Sequence, residues 1–398
     1  MNFDEREALK AVRGAPCITG RAVSLTICPT MGCNFDCPYC FENHRSGMMT
    51  AEVQEDVISL AGRMLDAFGA KELFITWFGG EPLLAVEVIE KLSKRLVALA
   101  EEKGASYRAD IITNGYLFTQ NVADILEKCR VQTAQITLDG LGAAHDATRH
   151  LAGGGPTFER ITQNLRALKL PFRVSIRHNV YAGNADQIET LHDFVETLAK
   201  ESGNDIVYYA SPVSGNDAAE KRGSEVRLLC ASLDGEIGVS MDARRFRMGG
   251  PHYCGASVLS CIGIDERGRL HKCWEDVDKP EHSFGSASRW DPQNPIATAD
   301  SPDQLTVWLN AALPTGDAEC MDCKWLPACV GGCPARRIHY RERPCLPYRD
   351  TPERYVLALY ERMKQEKRMP DREQVQKNEK MQKTTAIRQN DAYQSVKG

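Results

Sequence analysis

Three cysteines in the run Cys33-Asn-Phe-Asp-Cys37-Pro-Tyr-Cys40 are close enough for their thiolates to hold three corners of a cubic [4Fe–4S] cluster, whose usual ligand is cysteine. The fourth iron then lacks a local protein ligand, and a small chelating molecule can take it. With 15 cysteines in 398 residues, chance gives this spacing about 0.02 times per chain, so the spacing carries the reading. A structural zinc loop is the alternative. It needs a fourth ligand, and His44 is near enough in sequence to offer one.

A second set follows in the C-terminal third. Cys254, Cys261, Gly268 and Cys273 precede Cys320-x2-Cys323-x5-Cys329-x3-Cys333, and Cys345 closes the set. The four-cysteine piece alone is expected by chance about 0.001 times. A zinc-ribbon or rubredoxin-like site could use four of these residues, but seven or eight are too many for one tetrahedral zinc. Two clusters fit better. Regular structure looks sparse between Cys254 and Cys345, so bound metal rather than an apolar core is expected to organise this region.

The elements that must position these thiols read clearly before residue 212. Strands are expected at Ala22–Ile27, Leu73–Phe78, Ala109–Thr113, Ala134–Leu138, Val174–Val180 and Ile206–Tyr209. Helices are expected at Ala51–Phe68 behind a Thr50 cap, Leu84–Lys103, Gln120–Cys129, Thr157–Lys169 and Asp186–Lys200. Val88, Ile89, Leu92, Leu96 and Leu99 recur at helical spacing and mark one buried face. Repeated strand–helix steps imply an α/β fold with a parallel sheet, doubly wound or curved into a partial barrel.

The expected organisation is an N-terminal segment 1–20, a barrel 21–212, a polar bridge 213–253, a cysteine-rich domain 254–350, and a C-terminal part 351–398. That last part reads as a helix at Pro352–Arg368 and a Lys/Gln/Asn-rich disordered tail. The chain is 42% hydrophobic and 26% charged, with a formal net charge of −5. That balance gives no basic field for nucleic acid. The polar start has no apolar signal region, and no run reaches the length of a membrane span. A cytoplasmic location is expected, where many cysteines point to metal or redox chemistry rather than disulfides.

The Cys-x3-Cys-x2-Cys run after the first strand of such a domain, with Tyr39 before its third cysteine and Phe41-Glu42 after it, resembles the radical S-adenosylmethionine superfamily. The resemblance implies a partial (β/α)6 TIM-type barrel. It also implies that the amino and carboxylate groups of S-adenosylmethionine chelate the open iron. An electron from the cluster then cleaves the sulfonium, giving methionine and a 5′-deoxyadenosyl radical. Phe78-Gly79-Gly80-Glu81-Pro82 resembles the family's Gly-Gly-Glu-Pro turn, where backbone carbonyls and Glu81 can hold the ammonium group. Thr113-Asn114-Gly115 ends the third strand, where relatives place ribose contacts, and Asp110 is one candidate contact. Arg149, after Leu138-Asp139-Gly140 and His145-Asp146, resembles the arginine that pairs with the cofactor carboxylate. Asn179 matches a further cofactor-side position.

The second set resembles the SPASM domain, the small loop-rich module of auxiliary clusters in peptide- and protein-modifying enzymes. By that resemblance Cys320, Cys323, Cys329 and Cys345 hold one [4Fe–4S] cluster. Cys254, Cys261, Cys273 and Cys333 hold another, making three clusters in all. Cys17, Cys28, Cys129 and Cys230 are then plain thiols. Sulfatase maturases resemble the chain in length and layout, but they carry an aspartate base directly after the position of Cys273. Trp274 stands there here, and Glu275 and Asp276 point elsewhere if the segment is extended. Lys-Cys-Trp resembles maturases of ribosomally made peptides, which close a carbon radical onto an aromatic ring, a thiol or a hydroxyl.

The implied partners are a precursor peptide and a flavodoxin- or ferredoxin-type electron donor. About thirty residues precede Cys33, too few for a leader-binding winged helix. Recognition is therefore expected from a separate protein or from the bridge, where Arg244-Arg245-Phe246-Arg247 is a candidate strip. Two alternatives stay open: a sulfatase-maturase-type reaction, and a non-enzymatic electron carrier. The carrier explains the cysteines but not the open first cluster or Gly79–Pro82. A nucleic-acid-modifying role has the missing basic field against it.

Overall fold

The computed structural model describes residues 22–181, 183–212, 254–311, 314, 316–329, 331–345, 349 and 353. The expected segment 1–20, the bridge 213–253 with Arg244–Arg247, Cys17 and Cys230 lie outside the described residues. So does the final helix and tail, save for Glu353.

Strict alternation sets the sheet. β1 (Ala22–Ile27), β2 (Glu72–Trp77), β3 (Ser106–Thr113), β4 (Val131–Thr137), β5 (Arg173–Val180) and β6 (Ile206–Pro212) pair in parallel and in sequence order. On one face Val23, Leu25, Ile27, Leu73, Ile75, Trp77, Ala109 and Ile111 are buried. That face packs on α1 (Ala51–Phe68) and α2 (Val86–Glu102) through Val57, Leu60, Met64, Ile89, Leu92 and Leu96. The other face is half-buried and polar: Thr26 lies beside Thr76, Thr76 beside Asp110, and Arg177 beside Tyr209. A parallel sheet with apolar residues toward its helices and polar ones on the concave side is a partial TIM-type barrel.

Local chemistry explains the element ends. Thr50 accepts from the Val53 N–H at the start of α1, and Gly69 ends it at φ 57°. The helix expected from Leu84 begins instead as a 3-10 turn, Pro82–Ala85, with α2 starting at Val86. The cause is Glu81, whose carboxylate accepts from the Leu83 N–H and caps that turn. α3 (Gln120–Lys128), α4 (Phe158–Ala167) and α5 (Ile188–Ser202) complete the units. Thr157 does not cap α4. Asp146 does so from outside the helix, its Oδ1 accepting from the Thr157 and Phe158 N–H groups.

Beyond Cys254 the sheet continues. β7 (Cys261–Ile264) joins β1 in parallel, and β8 (Arg269–His271) and β9 (Gly285–Ser286) follow antiparallel. The whole order is β6-β5-β4-β3-β2-β1-β7-β8-β9. These strands span four, three and two residues, too short for a periodic signal. α6 (Pro302–Ala311) and α7 (Pro334–His339) come after them. Trp308 of α6 and Ala335 of α7 form a small cluster with Ala256. Apolar burial is therefore concentrated in the barrel, where each fully buried Leu or Ile contributes on the order of 1.5–3 kcal/mol.

Candidate active site at the carboxyl ends of the strands

The loop after β1 is held from three directions. Gly80 and Glu81 donate backbone N–H groups to the Thr30 and Gly32 carbonyls at 3.3 and 2.8 Å. Asp36 donates to the His150 carbonyl at 3.1 Å, and Ala152 donates to that of Asn34 at 2.9 Å. From the C-terminal region, Glu266 accepts from Arg45 Nε and Nη2 at 3.1 and 3.0 Å. Asp278 accepts from the Asn43 N–H at 2.9 Å. Packing sets the glycines of the β2 turn. A Cβ on Gly79 would lie 2.3 Å from the Thr30 carbonyl oxygen, and one on Gly80 2.3 Å from that of Gly32.

Cys33, Cys37 and Cys40 lie together within this loop, Cys33 feeling the charge of both others. Burial pushes the thiols up, Cys33 to about 12 and Cys40 to about 11. They stay protonated at neutral pH unless a metal ion displaces the protons. The Phe35 N–H donates to Cys33 Sγ at 3.4 Å. This donor set fits an iron–sulfur cluster. The zinc alternative has a geometric basis too, since ligand atoms of Cys40, Glu42 and His44 lie within 4.8 Å of one another. However, burial and the neighbouring Asp278 push the Glu42 carboxyl to about 8. As with the thiols, a bound cation would have to displace that proton.

Around the loop stand the residues expected to meet the cofactor. The Tyr39 hydroxyl donates to Asp139 and accepts from Arg149 Nη1 at 2.9 Å. Asn179 Nδ2 lies 3.4 Å from the same hydroxyl. Arg149 Nε and Asp139 Oδ1 are buried with no hydrogen-bond partner among the described residues, which suits a site built for a ligand with both donor and acceptor groups. Glu81 is fully buried. Its Oε1 accepts from Thr113 Oγ1 at 2.6 Å and Leu83 N–H at 3.0 Å, and its Oε2 from Asn114 N–H at 2.7 Å. A carboxylate has about four acceptor sites, so about one remains for an ammonium group. Pro82 is buried at the first position of the 3-10 turn. Asn114 Nδ2 reaches the Asn34 side chain at 2.8 Å. Asp110 stands apart, three residues before the end of β3 between Thr76 and Thr133, or about 10 Å below the rim at strand rise.

The later cysteines gather in two places. Cys320, Cys323, Cys329 and Cys345 line one cavity of about 430 Å³. The Gly331 N–H donates to Cys329 Sγ at 3.3 Å. Gly331 and Gly332 have φ of 86° and 72°, and a Cβ on Gly332 would lie 2.4 Å from the Pro344 carbonyl oxygen. These glycines let the segment before Cys333 close on the segment before Cys345. Elsewhere, Cys273 and Cys333 both pack on the Ala256–Trp308–Ala335 cluster. Cys273 feels the charge of Cys254, and a Cβ on Gly255 would meet Cys261 Sγ at 3.6 Å. The first of these sets, four thiols around one cavity, is a donor set that fits a further cluster.

Between the early and late cysteines lies an aromatic row. Phe41 stacks on Phe78 with ring centroids 6.4 Å apart, and Phe78 meets Trp274 at 5.9 Å. Phe41 and Trp274 remain 46% and 42% exposed. Trp274–Asp276 is a 3-10 turn, not the extended segment considered from sequence. The carboxylate of Asp276 draws it round, accepting from His282 Nδ1 and His339 Nε2 at 3.0 Å each.

Residues 27–198 match the Radical SAM superfamily model. This chain carries a radical SAM domain. It is 27% identical over 194 residues to the AdoMet-dependent heme synthase of Methanosarcina barkeri, covering 48% of this chain and 52% of that one. The chain spans about half or less of the length of the curated relatives it matches. The fold is similar to that of anSMEcpe solved with bound AdoMet and the Cp18Cys peptide. That match has TM-score 0.62 and 20% identity, and covers 86% of this chain and 96% of that one. It is also similar to Streptococcus suis SuiB bound to the precursor peptide SuiA, with TM-score 0.54 and 17% identity over 83% and 75% of the two chains. No helix among the described residues is long and apolar enough to cross a membrane.

Sequence reasoning picked out Cys33, Cys37, Cys40, Glu81, Arg149 and Asn179, and the structure brings them into one neighbourhood. That reasoning missed Asp139 as the acceptor of the Tyr39 hydroxyl, although Leu138-Asp139-Gly140 was visible. It also missed the Arg45–Glu266 tie, across 221 positions, and the aromatic row, whose members lie in three separate loops and turns and leave no local signal.

Proposed function

We propose that the chain is a radical SAM maturase that acts on a precursor peptide and installs a side-chain crosslink, a C–C cyclophane, a thioether or an ether. The observation that carries this reading is the aromatic row. Phe41 directly follows Cys40, Trp274 directly follows Cys273, and Phe78 lies between them, so early and late thiols flank one exposed surface.

In this reading Cys33, Cys37 and Cys40 hold the first cluster, and Arg149 holds the carboxylate of S-adenosylmethionine. Glu81 takes its ammonium group, Gly79, Gly80 and Pro82 shape the turn beside it, and Asn114, Asn179 and Tyr39 fix the rest. Asp110 serves the deeper wall of the same concave face. Cys254, Cys261, Cys273 and Cys333 hold the first auxiliary cluster, and Cys320, Cys323, Cys329 and Cys345 the second. When bound, the cofactor and clusters supply hydrogen-atom abstraction and a place for the surplus electron. The protein's own share is to hold the groups, exclude water and present the peptide across the aromatic row. A small electron-transfer protein of the flavodoxin or ferredoxin type supplies reducing equivalents.

A second reading, oxidation of a peptide Cys or Ser to an aldehyde, draws on the likeness to anSMEcpe with its bound Cp18Cys peptide. Trp274 at the position of the sulfatase-maturase aspartate weighs against it.

The test offers the enzyme, cofactor and reductant a sulfatase peptide and the small protein encoded or co-expressed beside it. Loss of two hydrogens per crosslink from the latter, with fragmentation blocked between two residues, is the expected outcome. Aldehyde formation on the sulfatase peptide, with the other untouched, would promote the second reading.

A further inference from the structure

We propose that Arg337 raises the reduction potential of the second auxiliary cluster and so makes it an electron acceptor. The inference rests on the reading in which Cys320, Cys323, Cys329 and Cys345 hold that cluster.

Three arginines, Arg337, Arg343 and Arg349, line the cavity with the four cysteines. Arg343 is committed to acids: its Nε donates to Asp317 at 2.7 Å and its Nη1 to Glu319. Arg349 Nη1 sits 3.4 Å from both Glu319 and Cys345 Sγ. Arg337 differs in geometry. Its Nη2 donates to Cys320 Sγ at 3.1 Å, its Nε donates to the Gly331 carbonyl at 2.6 Å, and its Nη1 stands 3.6 Å from Asp317. Its side chain is 15% exposed, so solvent screens it little.

The acid beside Cys320 is met by Arg343 on its outer side, and Arg337 is the cation that reaches both the acid and the sulfur. Asp317 Oδ2 lies 3.4 Å from Cys320 Sγ and can accept from the thiol. A ligating thiolate has no proton to give, and two negative groups would then face each other. Taking up one electron adds a further negative charge and binds no proton, so the repulsion is worst in the reduced state. A guanidinium that touches both partners favours that state. Hydrogen bonds to sulfur and net charge are the levers that set such potentials.

Arg337 is also held in place rather than tethered loosely. It lies on α7, which begins with Pro334 at its first position and has Cys333 as its N-cap. The same Gly331 that accepts from Arg337 Nε donates its N–H to Cys329 Sγ. One side chain thereby fixes the surroundings of two of the four sulfurs. Arg337 is a positioning residue for charge, with no contact to substrate in this proposal.

The test is a potentiometric titration followed by electron paramagnetic resonance on anaerobically reconstituted full-length protein. The signal to follow is the one absent from Cys320→Ala. Arg337→Leu should keep the wild-type iron content and move that signal to more negative potential. Reduction should be at least about tenfold less favourable, which is about 59 mV for a one-electron couple. Arg337→Lys, which keeps the charge, should recover part of the shift. An unchanged midpoint in Arg337→Leu at full iron content overturns the proposal. Loss of iron in both variants also overturns it, because Arg337 would then be needed only to build the site. If wild type itself holds too little iron and Cys320→Ala removes no signal, the parent reading fails instead.

Discussion

Arg149 Nη1 donates a hydrogen bond to the Tyr39 hydroxyl at 2.9 Å, joining the cysteine loop to the segment that follows β4. The hydroxyl passes its own proton toward Asp139, which also accepts from Thr148 Oγ1 at 3.2 Å. A buried cation is thus balanced by a buried carboxylate through a neutral phenol. The guanidinium keeps its Nε free of partners among the described residues, available to an anion.

Arg149→Ala should weaken S-adenosylmethionine binding by roughly 1.5–3 kcal/mol, the range for a hydrogen bond to a charged group. Tyr39→Phe keeps the ring and should cost less, about 0.5–1.5 kcal/mol. Equilibrium binding on protein of wild-type iron content checks both. Unchanged affinity in Arg149→Ala would leave the residue a structural tie only.

Gly80→Ala tests whether the β2 turn sets the cysteine loop. The new Cβ would lie 2.3 Å from the Gly32 carbonyl oxygen, and backbone atoms cannot yield there cheaply. Overpacking of this kind typically costs about 1–3 kcal/mol. Because Gly32 adjoins Cys33, the variant should lose both thermal stability and iron bound to the first set. Retention of iron with normal stability would show that the loop can move aside.

The barrel was legible because its signals are local. Alternation along β1 to β6, the Thr50 cap and the heptad-like face of α2 each lie within a few residues. The same holds for Cys33, Cys37 and Cys40. What escaped was set by contacts between distant segments. Glu81 reads as a ligand residue, but its carboxylate also caps the Leu83 turn and braces Thr113 and Asn114. β7 reads as nothing, since four residues carry no period, yet it pairs in parallel with the edge of β1 opposite β2. Trp274 reads as extended until the Asp276 bonds to His282 and His339 are known.

The cysteines should divide by task. Fully reconstituted protein should carry about twelve irons, four for each cluster. Alanine at Cys33, Cys37 and Cys40 together should abolish cleavage of S-adenosylmethionine. Cys345→Ala should retain part of that cleavage while product formation stops. Equal loss of cleavage in both variants would contradict the division.

Asp276 gives a prediction with a defined pH window. Burial raises its carboxyl, but the hydrogen bonds from His339 and His282 outweigh burial and bring it to about 2. An unfolded aspartate titrates near 3.9. A depressed folded value means that its stabilising contribution is complete above about pH 4 and is lost as pH falls toward about 2. Urea unfolding of wild type and Asp276→Asn at pH 6, 4 and 3 measures this. The stability difference between them should shrink as pH drops. A difference that is flat across the window would mean that the two histidines do not hold the carboxylate as charged.

Trp274 bears most directly on the substrate. Nearly half its surface faces solvent, yet its ring is fixed 5.9 Å from Phe78, which in turn stacks toward Phe41. An exposed aromatic face costs hydration and is expected to be covered when the enzyme works. If a peptide side chain covers it, Trp274→Ala removes one stacking partner, about 0.5–1.5 kcal/mol. The apparent KM for the peptide should then rise roughly 2- to 13-fold by that range. S-adenosylmethionine cleavage without peptide should stay at wild-type level, since Tyr39, Arg149 and Glu81 are untouched. Trp274→Phe restores a ring and should recover most of the affinity. Steady-state kinetics with the neighbouring precursor peptide separates the outcomes. A fall in kcat at constant KM would place Trp274 in the chemical step rather than in recognition. Unchanged kinetics would remove the aromatic row from the substrate path and with it the main support for a peptide lying across Phe41, Phe78 and Trp274.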